Sequence, residues 1–154
     1  MIKKLYYNLM EKLFHRSGWD KINELLANIA SMQKSLRMYK EFWDNTTDAM
    51  ILVRVRDGQI LDVNPSACSL YGYSRTQFLL KTIYDVSDDP VSTKAVADNK
   101  YIYVPFRYHI NSDGNTFPLS CRLTYFNDSG ENIAALIIHP IKLPEGINKD
   151  RRTD

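Results

Sequence analysis

Apolar residues recur at helical spacing along the first third of the chain and then give way to the alternation of strands. Ile2, Leu5, Tyr6, Leu9 and Leu13 form one stripe, with Lys3, Lys4, Lys12 and Arg16 largely off it, which predicts an amphipathic helix. Ser17-Gly18 is expected to interrupt it. Ser17 followed by Asp20 reads as the start of a second helix, the acid standing where a capping box puts its carboxylate. In that second stretch Ile22, Leu25, Ile29, Met32, Leu36, Tyr39 and Trp43 are separated alternately by three and four positions, an unbroken heptad seam. A β-branched residue at a and Leu at d in its first heptad favour a parallel pair of helices. The flanking positions Leu26, Asn28, Gln33, Ser35, Lys40 and Phe42 offer almost no complementary charge, so the stripe is wider than a two-stranded seam. The alternative is a helix laid on its own domain, and the two readings are compatible.

From Ala49 the period becomes extended. Residues 50–55 and 59–63 are rich in β-branched side chains and are joined by Asp57-Gly58, a strong hairpin signal. A polar and helical interval follows. Residues 101–110, 116–126 and 133–141 then read as three further strands, separated by a second Asp-Gly within 111–115 and by turn-forming residues at 127–130. Every pairing available locally is a hairpin. The expected fold class is therefore α+β: an antiparallel sheet with short helices on one face, preceded by an N-terminal helical, coiled-coil segment. The expected division is a helical dimerisation segment at 1–43, a folded domain at 44–141 and a polar tail at 142–154.

The interval after the second strand runs Asp62-Val63-Asn64-Pro65-Ser66-Ala67-Cys68-Ser69-Leu70-Tyr71-Gly72-Tyr73-Ser74. Asn64 can cap a helix whose first residue is Pro65, where a missing N–H costs nothing. Gly72 tolerates the left-handed conformation that ends such a helix. Ser74 with Gln77 makes a second capping box, with Tyr73 and Phe78 as its hydrophobic staple. Asn64 is thus expected to be a structural cap and not a catalytic residue, a place that Asp would fill nearly as well.

This stretch resembles the PAS family. The family's V-N-x-A followed by a short helix ending in G-Y-S corresponds here to Val63, Asn64, Ala67 (one place late) and Gly72-Tyr73-Ser74. Ser112-Asp113-Gly114 stands where the family has a Lys-Asp-Gly hairpin, and Thr116-Phe117-Pro118-Leu119 begins the next strand in a familiar way. The resemblance covers roughly residues 45–141. It implies a PAS-like five-stranded antiparallel sheet with helices enclosing a pocket against its concave face. Two departures stand out. The segment at 90–100 is short, and the end reads His139-Pro140-Ile141 where PAS domains of kinases commonly have Asp-Ile-Thr. Pro144 and Gly146 then disfavour a helical extension.

The resemblance also bears on cofactors. Haem-binding members carry a His on the helix before the third strand, and residues 90–99 hold none; His109 and His139 lie on strands and His15 on the leader helix. The reactive Cys stretch of photoactive flavin members is missing. These absences argue against haem and photoactive flavin and leave the cofactor open. Cys68 reads as packing, and Cys121 alternates with Leu119 and Leu123 on one strand face. The candidate pocket residues are Tyr71, Phe78, Tyr84, Tyr103, Phe106 and Cys121. They either fill the core or line a site for a small apolar ligand anchored by tyrosine hydroxyls.

Composition narrows the functional classes. With 44% hydrophobic and 25% charged residues the chain has ordinary soluble globular composition. Residues 1–43 hold eight Lys/Arg against four Asp/Glu, and the remainder twelve against fourteen. The basic front is read as a solvated helix face. Two cysteines make neither a disulfide framework nor a metal-ligand pattern, no apolar run suggests a membrane span, and a signal peptide is not apparent. The expected location is cytoplasmic. No Ser-His-Asp or metal constellation suggests an enzyme, and the acids Asp57, Asp113, Asp128, Asp88 and Asp89 fall in turns and loops. No helix is suited to reading DNA directly. The expected function is a sensory module that binds a small molecule or a signalling protein partner and reports through rearrangement of a homodimer. The alternatives are a pure interaction module and, after it, a small α+β enzyme.

Overall fold

A computed structural model describes residues 2–144, and of residues 13–17 the backbone alone. The side chains of Leu13, His15, Arg16 and Ser17 and the tail from Glu145 therefore lie outside the described residues. The chain falls into two units, Met1–Phe42 and Trp43–Asp154.

The leader is one helix, α1, Ile2–Asn45. The break expected at Ser17-Gly18 is absent. A glycine inside a helix costs about 1 kcal/mol, which strong helix formers on both sides offset. Within this unit the seam positions Ile22, Leu25, Ile29, Met32, Leu36 and Tyr39 are between 46% and 73% exposed.

The second unit contains β1 (Ala49–Arg54), β2 (Ile60–Val63), α2 (Pro65–Tyr71), α3 (Arg75–Phe78), a 3-10 turn at Ile83–Val86, α4 (Pro90–Asp98), β3 (Tyr103–Ile110), β4 (Thr116–Asp128) and β5 (Glu131–Pro140). The five strands form one sheet in the order β2-β1-β5-β4-β3, antiparallel throughout. The last strand is thus the central one. It pairs with β1 (Leu52 opposite Ala135) and with β4 (Leu123 opposite Leu136).

Alternation makes the core. Ala49, Ile51 and Val53 of β1 are buried while their neighbours are half-buried, as the two-residue period of a strand requires. Leu119, Cys121 and Leu123 of β4 and Leu136 and Ile138 of β5 face the same way. Ala67 and Tyr71 of α2, Phe78 of α3, Ile83 and Val86 of the 3-10 turn and Val96 of α4 complete one hydrophobic cluster with them. Among the described residues no helix is long and apolar enough to cross a membrane.

Candidate functional site

Two short helices and their caps pack part of the core beside the sheet. Asn64 is fully buried, and its Oδ1 accepts from Ala67 N at 2.9 Å and from Met50 N at 2.9 Å. Its Nδ2 donates to the Asp48 carbonyl at 2.8 Å. It therefore caps α2 and also ties that helix to the start of β1. Gly72 ends α2 at φ 76°. The Ser74–Gln77 capping box starts α3, and the Tyr73 and Phe78 rings meet edge to face with centroids 5.4 Å apart.

Tyr71 is held by this punctuation in the middle of the core. Its ring meets Phe78 and Phe117 edge to face, and its hydroxyl shares a 2.6 Å hydrogen bond with His109 Nδ1. Burial raises the phenol's pKa well above its ordinary value, with Cys121 adding to the shift. Burial, with the nearby Arg107 charge as a second cause, lowers that of His109 to about 4, so the imidazole is neutral near pH 7.

Beside this pair lies a cavity of about 50 Å³, measured as the space open to the centre of a water molecule. It is bounded by the inner face of β1, β3, β4 and β5 and by α4 and the 3-10 turn. Most of the wall is aliphatic, including Val53, Val96, Leu119, Leu123 and Leu136. There is room for a molecule of a few heavy atoms, and as it stands too little for a haem or a flavin. The polar groups in the wall are Tyr84, Thr93, Arg107, His109, Cys121 and Tyr125. The Tyr125 hydroxyl donates to the Val96 and Tyr101 carbonyls. Arg107 donates through one terminal nitrogen to the Ser92 carbonyl at 3.1 Å and through the other to Thr93 Oγ1 at 3.4 Å. Its Nε is, among the described residues, the one buried side-chain polar atom without a hydrogen-bond partner. Burial pushes the Cys121 thiol up to about 12, which keeps it protonated and unreactive.

The candidate pocket residues divide into three groups. Tyr84 and Cys121 line the cavity. Tyr71 and Phe78 are fully buried beside it in the core. Tyr103 and Phe106 stand elsewhere, 52% and 47% exposed on the outer side of β3. Tyr103 alternates with the buried Val104 and so faces out. Phe106 is turned out by a register shift between Val104 and Arg107, a bulge at which Pro105 and Phe106 together oppose the partner strand. Simple alternation from Val104 would turn Phe106 inward; the extra residue turns Arg107 and His109 inward instead. The sequence pattern assigns Arg107 no part and places His109 only on a strand. Pro105 inside a strand was the available signal, since proline in sheets marks edges and bulges.

Among the described residues no group of three or more His, Cys, Asp or Glu could hold a metal ion.

An antiparallel sheet with short helices closing a small cavity over one face defines an α+β module. Residues 47–139 match the model of the PAS domain, well over half of the 154 residues, and the chain belongs to the PAS domain family. Solved PAS domains share its fold. One from a two-component sensor histidine kinase is 17% identical with a TM-score of 0.65, over 71% of this chain and 99% of its own. The PAS domain of an HTR-like protein from Haloarcula marismortui is 19% identical with a TM-score of 0.67, over 75% and 98%. The PAS domain of a LuxR-family transcriptional regulator from Burkholderia thailandensis, solved in complex with ethanol, is 11% identical with a TM-score of 0.55, over 67% and 96%. Among curated proteins none matches the chain. The chain thus carries a PAS domain, a family whose members are generally sensory and signalling modules and not catalytic.

Proposed function

We propose that this PAS module binds a small molecule in its interior cavity and reports binding by rearranging a homodimer formed through α1. The observation that carries the reading is the cavity itself, a small apolar space within the core, with a few polar groups in its wall. Mostly apolar pockets with a few placed polar groups are the usual form of ligand sites. The complex of the Burkholderia thailandensis domain with ethanol is consistent with a ligand of this size. The dimer reading rests on the run of exposed apolar seam residues from Ile22 to Tyr39, a heptad pattern suited to a second helix. The module is read as non-catalytic and cytoplasmic.

Native mass spectrometry tests both parts at once, because it reads bound ligand and oligomeric state together. The expected result is a dimer carrying a small adduct. Replacing Ile29 and Leu36 by Lys should give a folded monomer, because a buried unpaired charge outweighs what a short seam contributes. A wild-type chain that is monomeric at tens of micromolar would overturn the dimer reading.

A second reading, an interaction module without a ligand, is supported by Tyr101, Ile102, Tyr103 and Phe106, exposed along or beside the edge strand β3. It predicts no adduct and no chemical-shift response of the cavity to any small molecule.

A further inference from the structure

The wall of the cavity contains no Asp or Glu. Arg107 is its one permanently charged side chain, because His109 is neutral and Cys121 protonated near pH 7. Arg107 lines this apolar space, and a guanidinium in apolar surroundings is costly unless an anion or a set of acceptors meets it. Its two terminal nitrogens are bonded to uncharged acceptors at the start of α4, the Ser92 carbonyl and Thr93 Oγ1. Asp88 and Asp89 lie on the outer side of the same residue, where they line a separate shallow depression with Ser92 and Tyr108. There the Arg107 charge also helps, after the hydrogen bonds from Ser92, to keep the Asp89 carboxyl below its ordinary pKa. That balances charge towards solvent and leaves the interior side without an acid. Nε is buried and without an acceptor, an exception among buried polar groups that calls for an explanation.

We infer that the cavity takes a short-chain monocarboxylate, held by the Arg107 guanidinium at its charged end and by the aliphatic wall along its few carbons. The inference rests on reading the cavity as the ligand site and adds the charge and size of the ligand. An arginine bonds a carboxylate through charge-assisted hydrogen bonds. Leu119, Leu123 and Val96 suit the hydrocarbon end. The volume of about 50 Å³ sets the length at a few carbons.

Butyrate, 1-butanol and butylammonium share an alkyl chain and differ in head-group charge, so they test the inference on the wild-type chain without any substitution. Titrated at pH 7 and followed by NMR shifts of Leu119, Leu123 and Val96 methyl groups, butyrate should bind at least about tenfold more tightly than 1-butanol. Butylammonium should bind more weakly than either. Arg107→Gln should remove the preference for butyrate and leave 1-butanol unchanged; if that variant does not fold, the wild-type order alone decides. Equal binding of butyrate and 1-butanol would overturn the inference while leaving a ligand-binding sensory cavity in place. A methyl response to none of the three would overturn the inference and count against the cavity as a site. The α1 dimer is read by a separate measurement and is unaffected by either outcome.

Discussion

The hydroxyl of Tyr71 and Nδ1 of His109 lie 2.6 Å apart with both residues buried, so α2 and β3 share a hydrogen bond inside the core. The pair makes stability depend on pH. His109 has a folded-state pKa of about 4 against 6.5 for the ordinary side chain, lowered first by burial and then by Arg107. Between those values the unfolded chain takes up the proton more readily than the folded one. The contribution is therefore complete above pH 6.5 and is lost as pH falls towards 4, by about 3 kcal/mol in all. Asp57 and Asp89, both lowered from 3.8 by hydrogen bonds, titrate below this window. Urea midpoints should fall from pH 7 to pH 4.5 in the wild type, and His109→Gln, less stable at pH 7, should show a flatter profile. Parallel profiles would assign the pH dependence to another group.

Asn64 does more than cap a helix, which changes the expectation for its replacement. Asn64→Ala leaves Ala67 N, Met50 N and the Asp48 carbonyl without their partner, so the loss should be about 3 kcal/mol or more, beyond the ~1 kcal/mol of a simple cap. Asp is not the easy substitute that the cap alone suggests, because its second oxygen would face the Asp48 carbonyl. Asn64→Asp should therefore be destabilised at pH 7 and recover relative to wild type as the pH is lowered, when a protonated carboxyl can donate to that carbonyl. Stability of Asn64→Asp equal to wild type at pH 7 would show that the Asp48 contact carries little energy.

Gly58 and Gly114 separate backbone strain from steric conflict. Both have positive φ, 73° and 79°. A Cβ at Gly58 would fall on the Tyr84 ring, while one at Gly114 meets nothing within 4 Å. Gly114→Ala should cost about 1 kcal/mol from its backbone conformation. Gly58→Ala should cost at least about twice that, and should displace Tyr84 and shift the methyl resonances lining the cavity. Equal losses in thermal unfolding would mean that the ring moves aside freely.

The direction of signalling is tested by two changes in the chain. In the proposed dimer, inserting flexible glycines after Trp43 should abolish ligand-dependent changes in the spin-label distance between the two copies of α1. Deleting residues 143–154 should leave those changes intact. A ligand shifts an equilibrium only by its differential affinity for two arrangements, and the short stretch between Trp43 and β1 is the covalent route to the helix. The opposite pattern would place the output at the C-terminus.

How far the sequence carried this picture follows from the range of each signal. Asp57-Gly58, Asn64-Pro65, Gly72 and Ser74 with Gln77 act on their immediate neighbours, and each marks a turn or helix end that the structure contains. The break expected at Ser17-Gly18 failed because a single glycine is a weak stop inside two good helical stretches. The placement of β5 between β1 and β4 is a pairing over some eighty residues, for which local patterning carries no information beyond the resemblance to the family. The site was less legible than the fold. One bulge at Pro105-Phe106 exchanges which side chains of β3 look inward beyond it, turning Phe106 out and Arg107 in, while Tyr103 faces out by alternation with the buried Val104.

The central position of β5 has a consequence for biosynthesis. Until the ribosome reaches residue 131, β1 and β4 can each find only an outer neighbour, β2 and β3. The hairpin halves then await the segment that joins them, and their long-range closure is the slow kind. Until Glu131–Pro140 emerges, β1 and β4 each present an open inner edge and half a core to their surroundings. The nascent chain in that interval is exposed to aggregation, and a chaperone that shields strand edges would act on it before the last ten residues of the sheet arrive.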